Sequence, residues 1–284
     1  MMKKLWTLFF LVVWGSWQAA DAEFYEYNKA VRQTGMGGVY VFRDDDASSF
    51  LQNPAYTCFT EGINWAIFNM NLGSNGYSIH DDIRDFKELN GIDSLRVYYG
   101  KEVYLGVGGH STITLPCFGV SYWLNGTITL LATNPPFPRL EVSYINDQAF
   151  QMGGGLKLNE NTSIGVTARR ITRLGGDQVF NADLLTNINT DKILDSFNNT
   201  GRAWAADLGL VTRLSKQAFN PTLSLSWRDV GRTRFLRTKG LEAPEGQRDD
   251  LTLGLTFDTG IPGFSLAGGL EYRHIMDTDS QLGK

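Results

Sequence analysis

Few side chains in this sequence could do chemistry. The histidines are His80, His110 and His274, and the cysteines are Cys58 and Cys117. Acidic runs occur at Asp44-Asp45-Asp46 and at Asp249-Asp250. Nucleophilic catalysis needs a base within reach of Ser or Cys and a third group to orient it. No histidine sits in a local motif of that kind. His80 opens a stretch of helical periodicity, His110 lies in the polar run 109–112, which reads as a loop, and His274 follows Arg273 at a strand end. The Asp44–Asp46 run carries hard oxygen ligands, but a calcium loop also needs a central glycine and a distal glutamate, which are absent. A solvated turn is expected there. No CxxC and no paired histidine points to a metal. The expectation is therefore no enzyme, no metal and no cofactor.

The elements that must carry these residues begin with an export signal. Lys3 and Lys4 precede an apolar run over 5–14, and Ala20-Asp21-Ala22 supplies small residues for cleavage after Ala22. Ten apolar residues make only about 15 Å of helix, half of a bilayer core. Residues 1–22 therefore read as a signal peptide. Export permits a disulfide. Cys58 and Cys117 could form one or remain two buried thiols, because sequence does not give the separation that decides it. The net charge of −4 gives no electrostatic footprint for nucleic acid.

The mature sequence alternates with period two. Leu251, Leu253, Leu255 and Phe257 alternate with Thr252, Gly254 and Thr256. Trp204, Ala206, Leu208 and Leu210 oppose Asp207 and Gly209. Ile164, Val166 and Ala168 oppose Gly165, Thr167 and Arg169; Leu223, Leu225 and Trp227 oppose Ser224, Ser226 and Arg228. Leu140, Val142 and Tyr144 alternate with Glu141 and Ser143. Such segments are strands with one apolar face. Several run nine to twelve residues, the length a tilted strand needs to cross a bilayer. Inward charges such as Asp207, Arg213, Glu271 and Arg273 suit a polar barrel interior better than a dry core. Aromatics near strand ends, among them Tyr122, Trp123, Trp204 and Trp227, suit interfacial girdles. Helical spacing appears over 79–92 and over 181–198. Residues 237–250 read as a long exposed loop, and Asn125-Gly126 as a hairpin turn. Residues 23–61 are too irregular for barrel wall.

That irregular segment holds GMGGVYVFRDDDASSFLQNPA. It resembles the N-terminal signature of the FadL-like outer-membrane proteins, a set that includes PorV-like and TraF-like barrels. The matching residues are Gly35 to Gly38, Asp44 to Ala47, and Asn53-Pro54-Ala55. NPPFPRLEVSY (134–144), RRITRLG (169–175), AADLGLV (205–211) and SWRDVGRTRF (226–235) resemble the TraF-like subgroup. The resemblance implies an antiparallel transmembrane β-barrel of about fourteen strands over residues 62–284, with a hatch formed by 23–61. About ten strands are readable, which leaves a smaller barrel, or one truncated at its C-terminus relative to its relatives. Gly37, Gly38, Asn53, Pro54 and Ala55 become the candidate hatch and gating residues. Gly37 and Gly38 allow close backbone approach; Asn53 can bond its own backbone in a turn where Pro54 fixes φ.

The expected location is the cell outer membrane, with lipid as the surrounding partner. Two functions follow from the resemblance: passage or binding of hydrophobic small molecules, or service as a membrane-anchored partner of secretion-system proteins. A soluble exported β protein is the third reading. An apolar lumen facing the hatch favours the first of these, and a sealed polar lumen with ordered long loops favours the second.

Overall fold

The computed structural model describes residues 47–74, 99–100, 102–133, 136–137, 139–181, 197–214, 219–261, 264–273 and 275. Residues 1–22, read from sequence as a signal peptide, Gly37, Gly38, the Asp44–Asp46 run, His80, His274 and both stretches of helical periodicity (79–92, and 181–198 apart from its ends) lie outside the described residues.

The protein is all-β. Ten strands form one antiparallel sheet among the described residues: β1 (Asn64–Ser74), β2 (Glu102–Leu115), β3 (Phe118–Thr133), β4 (Arg139–Lys157), β5 (Thr162–Asn181), β6 (Thr200–Arg213), β7 (Phe219–Arg228), β8 (Leu236–Lys239), β9 (Asp250–Ile261) and β10 (Phe264–Tyr272). The order is β1-β2-β3-β4-β5-β6-β7-β9-β10, with β8 paired to β6 alone. Strand direction alternates along this path, so the two edges, β1 and β10, run the same way. The connections β2–β3, β4–β5, β6–β7 and β9–β10 are short and lie at one end. The opposite end carries the long ones, β1–β2, β5–β6 and β7–β9.

The alternation is inside-out relative to a water-soluble protein. The face turned inward carries Thr112, Ser121, Gln151, Arg169, Asp207, Ser224, Ser226 and Thr252, all buried. The face turned outward carries Val107, Tyr122, Phe150, Met152, Val166, Leu208, Leu253, Leu255 and Leu270, all exposed. At the β1 edge Trp65, Ile67, Phe68, Met70 and Leu72 are all more than half exposed.

On the outer face the strand register aligns Tyr122, Phe150, Arg170 and Trp204 in one row across β3 to β6. The next row toward the long loops holds Leu124, Gln148, Thr172 and Arg202, three of the four polar. From the row of Leu156, Ile164 and Leu210 to the aromatic row is six residue steps, about 20 Å along the strand. Side-chain breadth at both margins brings this near the ~25 Å apolar band of a membrane barrel.

β4 and β5 have 19 and 20 residues and run on past the aromatic row toward the long connections. This extension explains Leu140, Val142 and Tyr144. The pairing continues unbroken, so these residues share the outer face with Phe150. Here, however, the apolar face is covered. Leu130, Ala132, Leu140, Val142 and Phe197 form a buried cluster, and the Phe197 ring meets Tyr144 edge-on at 5.8 Å.

Four expectations need correction. Trp123 is no girdle residue; it is buried on the inner face, 2% exposed. Asn125-Gly126 is no hairpin turn: both lie within β3, and the tight turn falls at Pro116-Cys117, where Cys117 takes φ 60°. Asn125 is buried on the inner face opposite Asp147, so the packing of an interior polar side chain overrides the local turn preference. His110 is not in a loop; it sits within β2, facing inward and 2% exposed. Residues 237–250 are not simply an exposed loop, since they contribute the end of β8 and fold back against the inner wall.

Candidate functional site: a lumen plugged from both ends

The first plug is the N-terminal segment. Ser49–Gln52 forms a short helix, α1, and Pro54–Phe59 a 3-10 helix. Pro54 suits the first helical position because its missing N–H would be unpaired there anyway. Asn53 caps the 3-10 helix: its Oδ1 accepts from Ala55 N at 3.0 Å. Its Nδ2 donates to Ser224 Oγ at 3.1 Å and to Leu225 O at 3.0 Å. One side chain thus starts the 3-10 helix and ties it to β7. Ser163 Oγ donates to Ala55 O at 2.8 Å from β5. Of the residues singled out from sequence, Asn53, Pro54 and Ala55 are therefore brought together inside the sheet.

The wall makes room for this plug with glycines. A Cβ on Gly119 would lie 2.8 Å from the Phe50 ring, and one on Gly155 would lie 2.9 Å from Cys58 Sγ. A Cβ on Gly165 would lie 2.5 Å from Ala55 N, and one on Gly209 would run into Asn53. Contacts to β3, β4, β5, β6 and β7 mean that the sheet curls around the plug. Cys58 and Cys117 are joined as a disulfide, connecting the plug to the β2–β3 turn. Cys117 N also donates to Thr57 O at 2.9 Å. Beneath, Ala55, Tyr56, Phe59 and Val211 form an apolar cluster, and the Arg213 guanidinium lies 4.1 Å from the Phe59 ring centroid. Burial pushes the Tyr56 phenol well above its ordinary value; a hydrogen bond with Ser224 opposes this and the charge of Glu271 adds to it.

The second plug enters from the long-loop end and is the β7–β9 connection, residues 229–249. Asp229 N donates to Asp207 Oδ1 at 2.9 Å. Arg169 Nη2 lies 2.8 Å from Asp207 Oδ1 and 2.9 Å from Asp229 Oδ1, so one guanidinium joins wall and insert. Arg173 is bidentate on Asp147, at 2.8 and 2.6 Å, and also donates to Glu245 O at 2.8 Å. The Gln247 amide links the two clusters: its nitrogen donates to Asp229 Oδ1 at 3.1 Å and its oxygen accepts from Arg173 Nη2 at 2.7 Å. Arg173 also stacks over the Phe235 ring at 4.6 Å. Charges in this interior are tolerated because each guanidinium meets carboxylates in good geometry.

The plugs meet at an apolar layer. Leu51 of α1 and Phe235 of the insert pack with Trp123, Ala149, Ile171, Ala203 and Ala205 of the wall. The N-terminal plug is tied to the wall by charge as well: Arg228 Nη1 donates to Gln52 Oε1 at 3.0 Å, and Arg228 pairs with Asp250.

Glu245 adds a pH dependence. Partial burial and the neighbouring Asp177 raise its pKa, while Arg173 and Arg248 oppose the rise. A carboxyl whose folded pKa is raised favours the folded state while protonated. That contribution is complete below the ordinary carboxylate pKa and is lost as pH rises through the raised value. Docking of the insert should therefore loosen as pH rises above the usual carboxylate range. Hydrogen exchange of the 236–247 amides, corrected for intrinsic rates, should show this, and Glu245→Gln should flatten it.

Asp207 and Arg169 were visible in the sequence as inward-facing polar positions. The partners Asp147, Asp229, Gln247 and Phe235 were not. The available signal was RRITRLG, where Arg169 and Arg173 stand four residues apart on one face of a long alternating strand. Two inward cations at that spacing require inward anions nearby.

The fold and site define an all-β protein with an antiparallel sheet wrapped around two internal plugs. No family model matches the sequence, and no curated protein matches it. Among solved structures, a crystal structure of a FadL homologue from Pseudomonas aeruginosa matches 89% of this protein and 81% of its own length, at 11% identity and TM-score 0.44.

Proposed function

We propose that the protein is an outer-membrane β-barrel, exported by its signal segment, that binds or passes hydrophobic small molecules. The observation that carries the membrane reading is the inverted pattern: exposed leucines, valines and aromatics outside, buried ion pairs inside. Water would penalise such an outer face, and lipid does not. The aromatic row of Tyr122, Phe150 and Trp204 stands where a headgroup girdle would lie. The choice of hydrophobic cargo rests on the apolar layer between the plugs and on the resemblance of residues 35–55 to the FadL-like signature. Asn53, Pro54 and Ala55 then serve as the seat of the hatch, with Gly37 and Gly38 preceding it.

The second reading, an interaction partner of secretion or surface machinery, draws on the polar interior closed by the ordered β7–β9 connection and on the strand extensions beyond the aromatic row. Their covered outer face makes an ordered platform outside the apolar band.

Cell fractionation with a heat-modifiability gel tests the membrane reading. The folded protein should extract only with detergent and change mobility on boiling. An unmodified band in the soluble periplasmic fraction overturns it. Leu208→Arg on the outer face should lower stability in lipid by about 2–3 kcal/mol, the cost of a cation near mid-membrane. An equal cost in detergent-free buffer would mean that this face does not meet lipid.

A further inference from the structure

The two plugs are held by different kinds of bond, and the geometry points to the β7–β9 insert, not the N-terminal plug, as the moving half of the closure. This inference rests on the reading that hydrophobic molecules pass through the lumen.

The N-terminal plug is fixed. A covalent bond joins Cys58 to the wall at Cys117. Asn53 bonds to β7, and Ser163 of β5 to Ala55. Gly119, Gly155, Gly165 and Gly209 let it sink into the wall with almost no gap. To withdraw, it would have to break a disulfide and tear its backbone from four strands.

The insert has no such anchor. Its links are ion pairs, hydrogen bonds, a short backbone ladder to β6 and two buried rings, Phe235 and Pro244, packed against Gly201 of the wall. Water can replace the polar links as the insert lifts, so their loss is partly offset. Its outer portion is already solvated: Leu236 to Ala243 are all exposed, and β8 meets only the end of β6, with a slip in register. Its entry is built to turn. Asp229, Gly231 and Arg232 take φ of 53°, 84° and 63°, three left-handed positions within four residues. The return passes Gly240, at φ 95°.

Lifting the insert removes Phe235 from the apolar layer. Trp123, Ile171, Ala203 and Ala205 would then line a path over Leu51, with the Arg169 and Arg173 clusters along its side. Such a path accepts a slender apolar molecule and leaves the fixed plug in place.

The test is uptake of a fluorescent long-chain alkyl probe by liposomes containing the full mature protein. The disulfide is kept intact and verified by mass spectrometry. Oxidised wild-type protein should show uptake, and added reductant should not change the rate. Phe235→Ala should raise the rate about tenfold or more, through a larger open population. A second variant, with residues 236–246 replaced by a Gly/Ser linker of equal length, should do the same. It alters mainly exposed residues and guards against misfolding of the first. Heat-modifiability reports that each is folded. Uptake that appears only after reduction, or folded variants with the wild-type rate, overturns the assignment of the moving part and leaves passage standing. No uptake in any sample, oxidised or reduced, overturns passage itself.

Discussion

Asp207→Ala should destabilise the protein by about 3–5 kcal/mol, seen as a lower urea midpoint by tryptophan fluorescence in detergent. Asp207 is 2% exposed. Its carboxylate accepts from Arg169 Nη2, from Thr167 Oγ1 at 2.8 Å and from Asp229 N at 2.9 Å. Truncation strands a buried cation with one carboxylate where it had two, and leaves two further donors unmatched. An unmatched buried donor costs about 1–3 kcal/mol and an unpaired charge more. Asp207→Asn keeps the shape and one acceptor, so it should fall between wild type and Ala. A loss below about 1 kcal/mol for Ala would mean that water already solvates this carboxylate, and the interior would not be sealed.

Gly165→Val should displace the N-terminal plug, at a cost of about 4–6 kcal/mol. The atoms a Cβ would strike are Ala55 N and Pro54 C at 2.5 Å and Ala55 Cα at 2.9 Å. All belong to plug backbone, so nothing flexible is there to swing aside. Overpacking alone costs about 1–3 kcal/mol. Displacement also forfeits the Asn53 bonds to β7 and the Ser163 bond to Ala55, each worth about 1 kcal/mol. Protease sensitivity within 47–59 should rise, with the fragment retained through the disulfide until reduction. Ala168→Val, on the outer face of the same strand, should stay within about 0.5 kcal/mol of wild type. If Gly165→Val were equally silent, the plug would not lie against β5.

The strands were legible because their chemistry repeats every second residue. In Trp204 to Leu210 and Leu251 to Phe257 nothing competes with that period, and the faces read from sequence are the faces observed. Asn125-Gly126 misled because turn preference is local, whereas the inner-face row joining Asn125 to Asp147 and Arg173 comes from strands far apart in sequence. Residues 237–250 misled for a related reason. Most of them meet water, as their polarity suggests, but Glu245 and Gln247 meet Arg173, whose position depends on the sheet. For Leu140, Val142 and Tyr144 the alternation was right, but what covers them could not be read from the strand itself. The Asn53-Pro54-Ala55 segment stood out through the resemblance as a candidate hatch or gating element, while the second plug had no sequence motif to announce it.

β1 and β10 head in the same direction. Two such margins cannot be sewn together by the antiparallel ladder used everywhere else in this sheet. One descending ribbon between them, or any odd number, would complete the pattern and satisfy both rows of backbone groups. Joining them directly would demand slanted, parallel pairing at a single seam. Whatever borders these margins in the folded molecule must therefore run opposite to both, or else create the one place where the wall changes its stitch.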